Sequence, residues 1–238
     1  MFESFNKNTL AKCTFLKKAK PSLPIIAIIS FLKIIIEVQR MSEKRKMLNG
    51  EFYTDDNELV SNRNRARELT RQYNISHPTD LKSRNNILKR LFKILGKNAY
   101  IEPPFICDYG SQIEWGENSY ANFNCIILDS ASVKIGNNVM LGPNVNIYTA
   151  THSIYPSLRN DTQKEGLESL ITYAKPVVIE DGVWVGGSSV ITPGIKIGAN
   201  SVIGAGSVVT KDIPPNVVAV GNPCKVIKSI NKRHEVTK

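Results

Sequence analysis

Between Ile179 and Val209 six aliphatic residues recur at intervals of six: Ile179, Val185, Ile191, Ile197, Ile203 and Val209, with glycine directly after three of them at Gly186, Gly198 and Gly204. A second register two residues earlier (Val177, Val183, Ser189, Ile195, Ser201, Ser207) is aliphatic or small. An amphipathic helix would place apolar residues every three or four positions, and a long strand would alternate without pause. A period of six satisfies neither and suits one short strand followed by one turn. Three such hexads close a triangular coil in which the aliphatic side chains of successive coils stack. The expected fold is mainly β, a parallel β-helix of hexapeptide repeats. Glycine suits the corners because it tolerates positive φ and close approach, and Asn137, Asn138, Asn144 and Asn200 fit the same turns.

The ladder is interrupted twice. It runs through Ile135, Leu141 and Ile147, with Val133, Val139 and Val145 beside it, and further upstream through Trp115, Ala121 and Ile127. Ile127 and Ile135 lie eight apart, so two extra residues enter around Asp129 to Ser132. After Ile147 the next rung residue is Ile179, and about 26 residues, 149–175, cannot be coil. Loops of that length in a compact domain usually carry function. This one is expected to project from the prism, with the β-helix assigned to residues 99–222.

The flanks differ in character. Residues 58–95 have helical composition, and Leu81 to Leu95 carries an apolar stripe of Ile87, Leu88, Leu91, Phe92, Ile94 and Leu95. His77-Pro78 separates two helices, which would cap the exposed edge of the first coil within a region 41–98. At the other end, IPPNVVAVGNPCKVIKSI is expected to leave the coil at two prolines and pass into a tail, 223–238. Residues 1–40 hold seven Lys/Arg against Glu3 and Glu37, half of the chain's net charge of +10. Their apolar run, PIIAIISFLKIIIEV, is interrupted by Lys33 and shorter than the ~20 residues of a membrane span. No signal-cleavage pattern follows it. Membrane contact is not expected, although a surface helix, a packed or disordered appendage and sequence upstream of a natural start at Met41 all remain open. Cys13, Cys107, Cys125 and Cys224 show no metal or redox spacing and fit free thiols in a reducing cytoplasm.

The segments KMLNGEFYTD, ELVSNRNRAREL, EPPFICDYGSQI, NSYANFNC, LGPNVNIYTATH, VWVGGSSVITPGIKIGANSVIGAGSVVTKDIP and GNPCKVI together resemble the galactoside/maltose O-acetyltransferases, over about four-fifths of the chain. The resemblance implies a left-handed β-helix with an N-terminal helical cap and a projecting loop. It also implies acetyl-CoA as cosubstrate with no metal, and a homotrimer whose active sites lie between subunits. His152 matches the general base; a sugar hydroxyl is a poor nucleophile until deprotonated, and imidazole titrates near neutrality. Asn122 matches the asparagine beside the reacting hydroxyl. Asp55 and Arg63 match acceptor-binding positions of the cap. Asp108 stands where the best-known galactoside enzyme has serine, and Ser130 where it has aspartate, which leaves the acceptor's identity open. On the donor side the resemblance implies pantetheine contacts at Gly187 and Ala205, with the Gly187 amide facing the developing oxyanion. It implies further cofactor contacts at Trp184, Thr210 and Lys211, and phosphate contacts at Lys225 and Lys228, where arginine is frequent; lysine keeps the charge but loses the bidentate fork.

Competing functions are narrowed by residue content. A zinc carbonic anhydrase on this fold uses three histidines, and the coil offers only His152. Nucleic-acid binding would want basic residues interleaved with aromatic platforms, and none are organised so. An acetyltransferase for an antibiotic or glycan precursor shares the same histidine and differs only in acceptor. A non-catalytic binding solenoid would not need His152, Asn122 and GAGSVVTKD together.

Overall fold

The computed structural model describes residues 41–230. The readings for residues 1–40, Cys13 among them, and for the last eight residues of the tail lie outside that range. Among the described residues all nineteen strands either build or edge three sheets of a parallel β-solenoid or pair at the base of its loop, each strand two to five residues long.

The first sheet orders β1 (Ile94–Leu95), β4 (Ile113–Trp115), β7 (Val133–Ile135), β12 (Val177–Ile179) and β15 (Lys196–Ile197). The second orders β2 (Tyr100–Ile101), β5 (Tyr120–Ala121), β8 (Met140–Leu141), β13 (Trp184–Val185), β16 (Val202–Ile203) and β18 (Val217–Val220). The third orders β3 (Phe105–Cys107), β6 (Cys125–Leu128), β9 (Asn146–Tyr148), β14 (Val190–Ile191) and β17 (Val208–Val209). Rung residues pair with rung residues, as in Leu95↔Trp115↔Ile135↔Ile179↔Ile197. From Trp115 onward these rungs are almost fully buried, forming one continuous apolar column.

Corners explain the spacing. Between the first and second sheets Asn98, Asn118, Asn138, Asn200 and Asn216 take φ of 54 to 60°, joined by Gly182. Asparagine is among the few residues that enter this left-handed region cheaply. Asn137 plays a different part from its neighbour: its side-chain oxygen accepts the Glu117 amide at 2.8 Å. Every insertion falls at the corner between the third and first sheets. Cys107 to Trp115 and Ile127 to Ile135 each span eight residues there, and the long loop leaves from the same corner. Its base is an antiparallel ladder of β10 (Ala150–Thr151) and β11 (Tyr173–Ala174).

Three helices form the cap. α1 (Glu43–Leu48) is capped by the Ser42 hydroxyl, α2 (Asn57–Asn74) by the Asp56 carboxylate on the Leu59 amide, and α3 (Leu81–Leu91) by Asp80 on the Ser83 amide. The apolar stripe of the last helix ends earlier than its composition suggests. Phe92 turns extended and packs its ring on Phe105 and Trp115, with centroids 5.6 and 6.0 Å away. Ile94 and Leu95 thereby become β1 of the first coil. Arg84, buried on α3, pins the cap to that coil by donating to Tyr73 Oη and the Ile101 carbonyl at 3.2 and 3.3 Å. A smaller apolar cluster of Met47, Tyr53, Leu59 and Tyr109 joins cap to corner.

At the far end the two prolines turn a corner and do not end the coil. Pro214 accepts the Ser201 hydroxyl at 2.8 Å, β18 resumes the second sheet, and β19 (Lys225–Ser229) returns antiparallel along its edge. Proline is tolerated where no ladder N–H is needed. Cys107, Cys125 and Cys224 are buried free thiols.

The three faces differ outside. The first presents Glu114, Lys134 and Lys196, with Lys93–Glu114 and Lys196–Glu180 ion pairs at 2.7 and 2.6 Å. The second presents Tyr100, Tyr120, Met140, Trp184, Val202 and Val218, with Met140 and Trp184 half exposed. The third presents Ile106, Ile126, Val190 and Val208 with Asn146. No described helix is long and apolar enough to cross a membrane.

Candidate active site

The insertion corner meets the cap in a cavity of about 220 Å³ lined by Tyr53, Asp55, Arg63, Arg67, Asp108, Ser130, Ala150, His152, Leu170 and Thr172. Five of the residues singled out in the sequence (Asp55, Arg63, Asp108, Ser130 and His152) are thus brought together. Three chain segments deliver them. The cap supplies Asp55 and Arg63, the two slipped corners supply Asp108 and Ser130, and the loop base supplies His152.

The return limb of the loop sets the geometry. Tyr53 and Thr172 exchange both backbone hydrogen bonds at 2.9 Å, and Phe52 packs edge-on against Tyr173 at 5.0 Å. One residue before Thr172, the Ile171 carbonyl lies 2.8 Å from His152 Nδ1. A carbonyl only accepts, so in the neutral ring Nδ1 carries the proton and Nε2 is the basic nitrogen. The same short limb therefore fixes the cap segment leading to Asp55 and the tautomer of His152. Lys164, further out on the loop, donates to Thr54 Oγ1.

Charge in the cavity is nearly balanced. Arg63 and Asp55 form an ion pair, both largely buried. Burial raises the Asp108 carboxyl above its usual range, and Arg63 and Arg67 oppose the shift. Burial likewise raises the Tyr53 phenol, which is bonded to Ser130. Two carboxylates facing two guanidiniums make a wall of directional donors and acceptors with little net charge. Such a wall suits a neutral, hydroxyl-rich ligand better than an ion.

Asn122 is absent from this cavity. It lies at the corner between the second and third sheets, where its side-chain oxygen accepts the Phe123 amide at 2.7 Å. Gly187 and Ala205 stack in successive coils on that corner, and among the described residues neither of their amides donates a hydrogen bond. Trp184 projects from the adjoining second face, and Lys225 and Lys228 are exposed on β19 at its edge. Thr210 and Lys211 are exposed past β17, on the insertion corner. One prism therefore carries His152 and the acceptor cavity on the insertion corner, with Thr210 and Lys211 further along it, and Asn122, Gly187 and Ala205 on another corner.

Residues 46–96 match the maltose acetyltransferase hexapeptide capping motif, and residues 176–211 match the bacterial transferase hexapeptide of six repeats. The chain is 45% identical to the galactoside O-acetyltransferase of Escherichia coli K12 over 77% of its own length and 87% of that protein's. The chain belongs to the galactoside/maltose O-acetyltransferase family. A maltose O-acetyltransferase structure from Clostridium difficile 630 superimposes with a TM-score of 0.75 at 51% identity, covering 81% of this chain and 99% of that one. A hexapeptide-repeat acetyltransferase from Vibrio cholerae O1 biovar eltor, complexed with acetyl-coenzyme A, gives 0.72 at 38% identity, covering 81% and 100%. The protein is accordingly an acetyl-CoA-dependent O-acetyltransferase. Among the described residues no group of three or more His, Cys, Asp or Glu side chains is placed to hold a metal.

Within the family frame, Tyr53, Arg67 and Thr172 are wall residues that the sequence did not single out. Arg67 could have been found from its spacing, one helical turn after Arg63 on α2. Thr172 has no such signal, because its place depends on how the loop folds back.

Proposed function

We propose that the enzyme transfers acetyl from acetyl-CoA to a hydroxyl of a sugar or glycoside, with His152 as general base. The observation that carries this reading is the His152 Nδ1–Ile171 bond within a cavity walled by Asp55, Arg63, Asp108 and Ser130. Nε2 takes the hydroxyl proton as the oxygen attacks the thioester carbonyl. The tetrahedral oxyanion is held by the Gly187 amide, and Asn122 orients the attacking hydroxyl. The intermediate collapses with loss of the CoA thiolate, which takes the proton back from the imidazolium. No covalent enzyme intermediate is needed. Gly187 and Ala205 contact the pantetheine arm, Trp184, Thr210 and Lys211 make further contacts with the cofactor, and Lys225 and Lys228 hold the nucleotide phosphates.

The reaction in this form requires a trimer. His152 and Asn122 occupy different corners of one prism, and the second and third faces are apolar while the first is charged. A cyclic trimer that packs the second face of one chain on the third face of the next buries both apolar faces. It also allows the insertion corner of one chain to approach donor residues of its neighbour. A cytoplasmic location supplies the acetyl-CoA and fits the free thiols.

The test is CoA release from acetyl-CoA with a panel of glucosides, galactosides, maltose and antibiotic acceptors, for the full chain beside His152→Ala. Loss of a general base lowers turnover by about a hundredfold or more. A variant as active as the parent would remove His152 from the mechanism, and a preference for antibiotics over sugars would overturn the acceptor class.

A further inference from the structure

Asp129 is fully buried, one residue before Ser130, at the slip in the second coil, and the proton-transfer scheme makes no use of it. Among the described residues it forms no ion pair. Its carboxylate instead collects amides from the corner of the preceding coil. Asp108 and Tyr109 N–H donate to Oδ1 at 3.1 and 2.8 Å, and Gln112 N–H donates to Oδ2 at 3.4 Å. The Gln112 side chain adds a bond to the Asp129 carbonyl at 3.2 Å.

Those amides belong to the turn that builds the acceptor cavity. Asp108 lines the cavity itself. Tyr109 belongs to the apolar cluster with Tyr53 and Leu59, and its ring lies 5.9 Å beneath the Arg63 guanidinium. An inserted corner lacks the strand pairing that orders the rest of the coil, so its backbone donors need another partner. The next coil solves the same problem with Thr149, whose hydroxyl accepts the Ala131 amide at 2.9 Å and donates to the Leu128 carbonyl at 2.6 Å.

We infer that Asp129 is a positioning residue for the acceptor: by bonding the 108–112 turn from below it fixes the Asp108 carboxyl and, through Tyr109, the placement of Arg63 and Asp55. It touches neither substrate, and its influence is confined to the acceptor half of the site, since Gly187, Ala205 and Trp184 lie on another corner and face, and Thr210 and Lys211 follow β17, three coils further along the same corner. The inference rests on the acceptor-cavity reading given above.

The experiment compares Asp129→Asn, Asp129→Thr and Asp129→Ala with the parent and with Ser201→Ala. Ser201 is a buried corner hydroxyl bonded to the Pro214 carbonyl in a remote coil, so it reports general loosening. KM is measured separately for acetyl-CoA and for the best acceptor, together with hydrogen–deuterium exchange over 105–113. Asparagine keeps an oxygen for the Asp108 and Tyr109 amides, threonine keeps one acceptor as Thr149 does, and alanine keeps none. Acceptor KM should rise in that order, to about tenfold or more for alanine, with acetyl-CoA KM within about twofold throughout and exchange over the turn rising in parallel. Ser201→Ala should leave both constants near the parent's.

Acceptor and donor KM rising together, a flat acceptor KM, or asparagine performing no better than alanine would overturn the inference. If alanine fails to fold, the asparagine and threonine variants decide it. Absence of acceptor-dependent CoA release in the parent would instead overturn the cavity reading. The exchange arm then decides the inference alone: unchanged protection of the turn refutes it.

Discussion

His152 and Asp129 show two ways in which one residue takes its properties from backbone groups. At His152 a single carbonyl decides which ring nitrogen is basic. At Asp129 three amides favour the anion, yet removal from water prevails and burial pushes the carboxyl up to about 7. The groups facing it are the Asp108 carboxyl and the buried Cys107 thiol, and neither supplies positive charge. The sign of the resulting pH dependence follows from the direction of the shift. A folded-state value above the unfolded ~3.9 means that the native protein binds the extra proton between about pH 4 and 7, so this group's contribution to stability is lost as pH rises through that window. From pH 5 to 8 the loss is about 2 to 3 kcal/mol on the linkage relation. Asp129→Asn removes the titration. Its melting temperature relative to the parent should therefore improve from pH 5 to pH 8, which thermal unfolding at the two pH values measures. An equal offset at both would show that Asp129 has an ordinary carboxylate pKa.

At the scale of the coil, the corners set what the sequence can vary. A Cβ on Gly116 would lie 2.3 Å from the Gly136 carbonyl carbon, against the backbone of the next coil. Gly116→Ala forces two coils apart and should destabilise by about 1 to 3 kcal/mol or more. Gly206 has φ of 71° with nothing within 4 Å of its Cβ position. Asn124 and Asn144 hold the same conformation on that corner, so Gly206→Asn should stay within about 0.5 kcal/mol of the parent. Denaturant unfolding of both variants checks the contrast, and similar losses would refute it. The same corners explain how much was legible in the sequence. The rung residues were visible because every sixth side chain must enter one dry column. Ile94 and Leu95 were misread as helix because Leu88, Leu91, Phe92 and Leu95 also satisfy a helical stripe, and only the burial of Phe92 against Phe105 decides between the two. Pro214 and Pro215 were misread as an exit because a proline at a corner and a proline after a coil look alike in sequence. Asp55, Arg63, Asp108, Ser130 and His152 could be singled out through local motifs. Asp129 could not, since its role lies in amides twenty residues away.

Across the whole molecule, the separation of His152 from Asn122 bears on whether one chain can catalyse at all. The two corners are joined by the third face, whose outward residues are mostly apolar, and the second face continues that surface past Met140 and Trp184. If each site takes His152 from one chain and Asn122 from the next, two inactive variants can complement each other. His152→Ala chains still supply Asn122, and Asn122→Ala chains still supply His152. In trimers assembled at random from equal amounts of both, a site is intact when an Asn122→Ala chain provides the histidine and a His152→Ala chain provides the asparagine. Each condition holds for half of the chains, so about a quarter of the parent activity should return on co-expression or on refolding the mixture. Mixing the folded homotrimers without exchange should return none. Were both residues to act within one chain, every site would lack one of them, and the refolded mixture would stay as inactive as its components at any ratio.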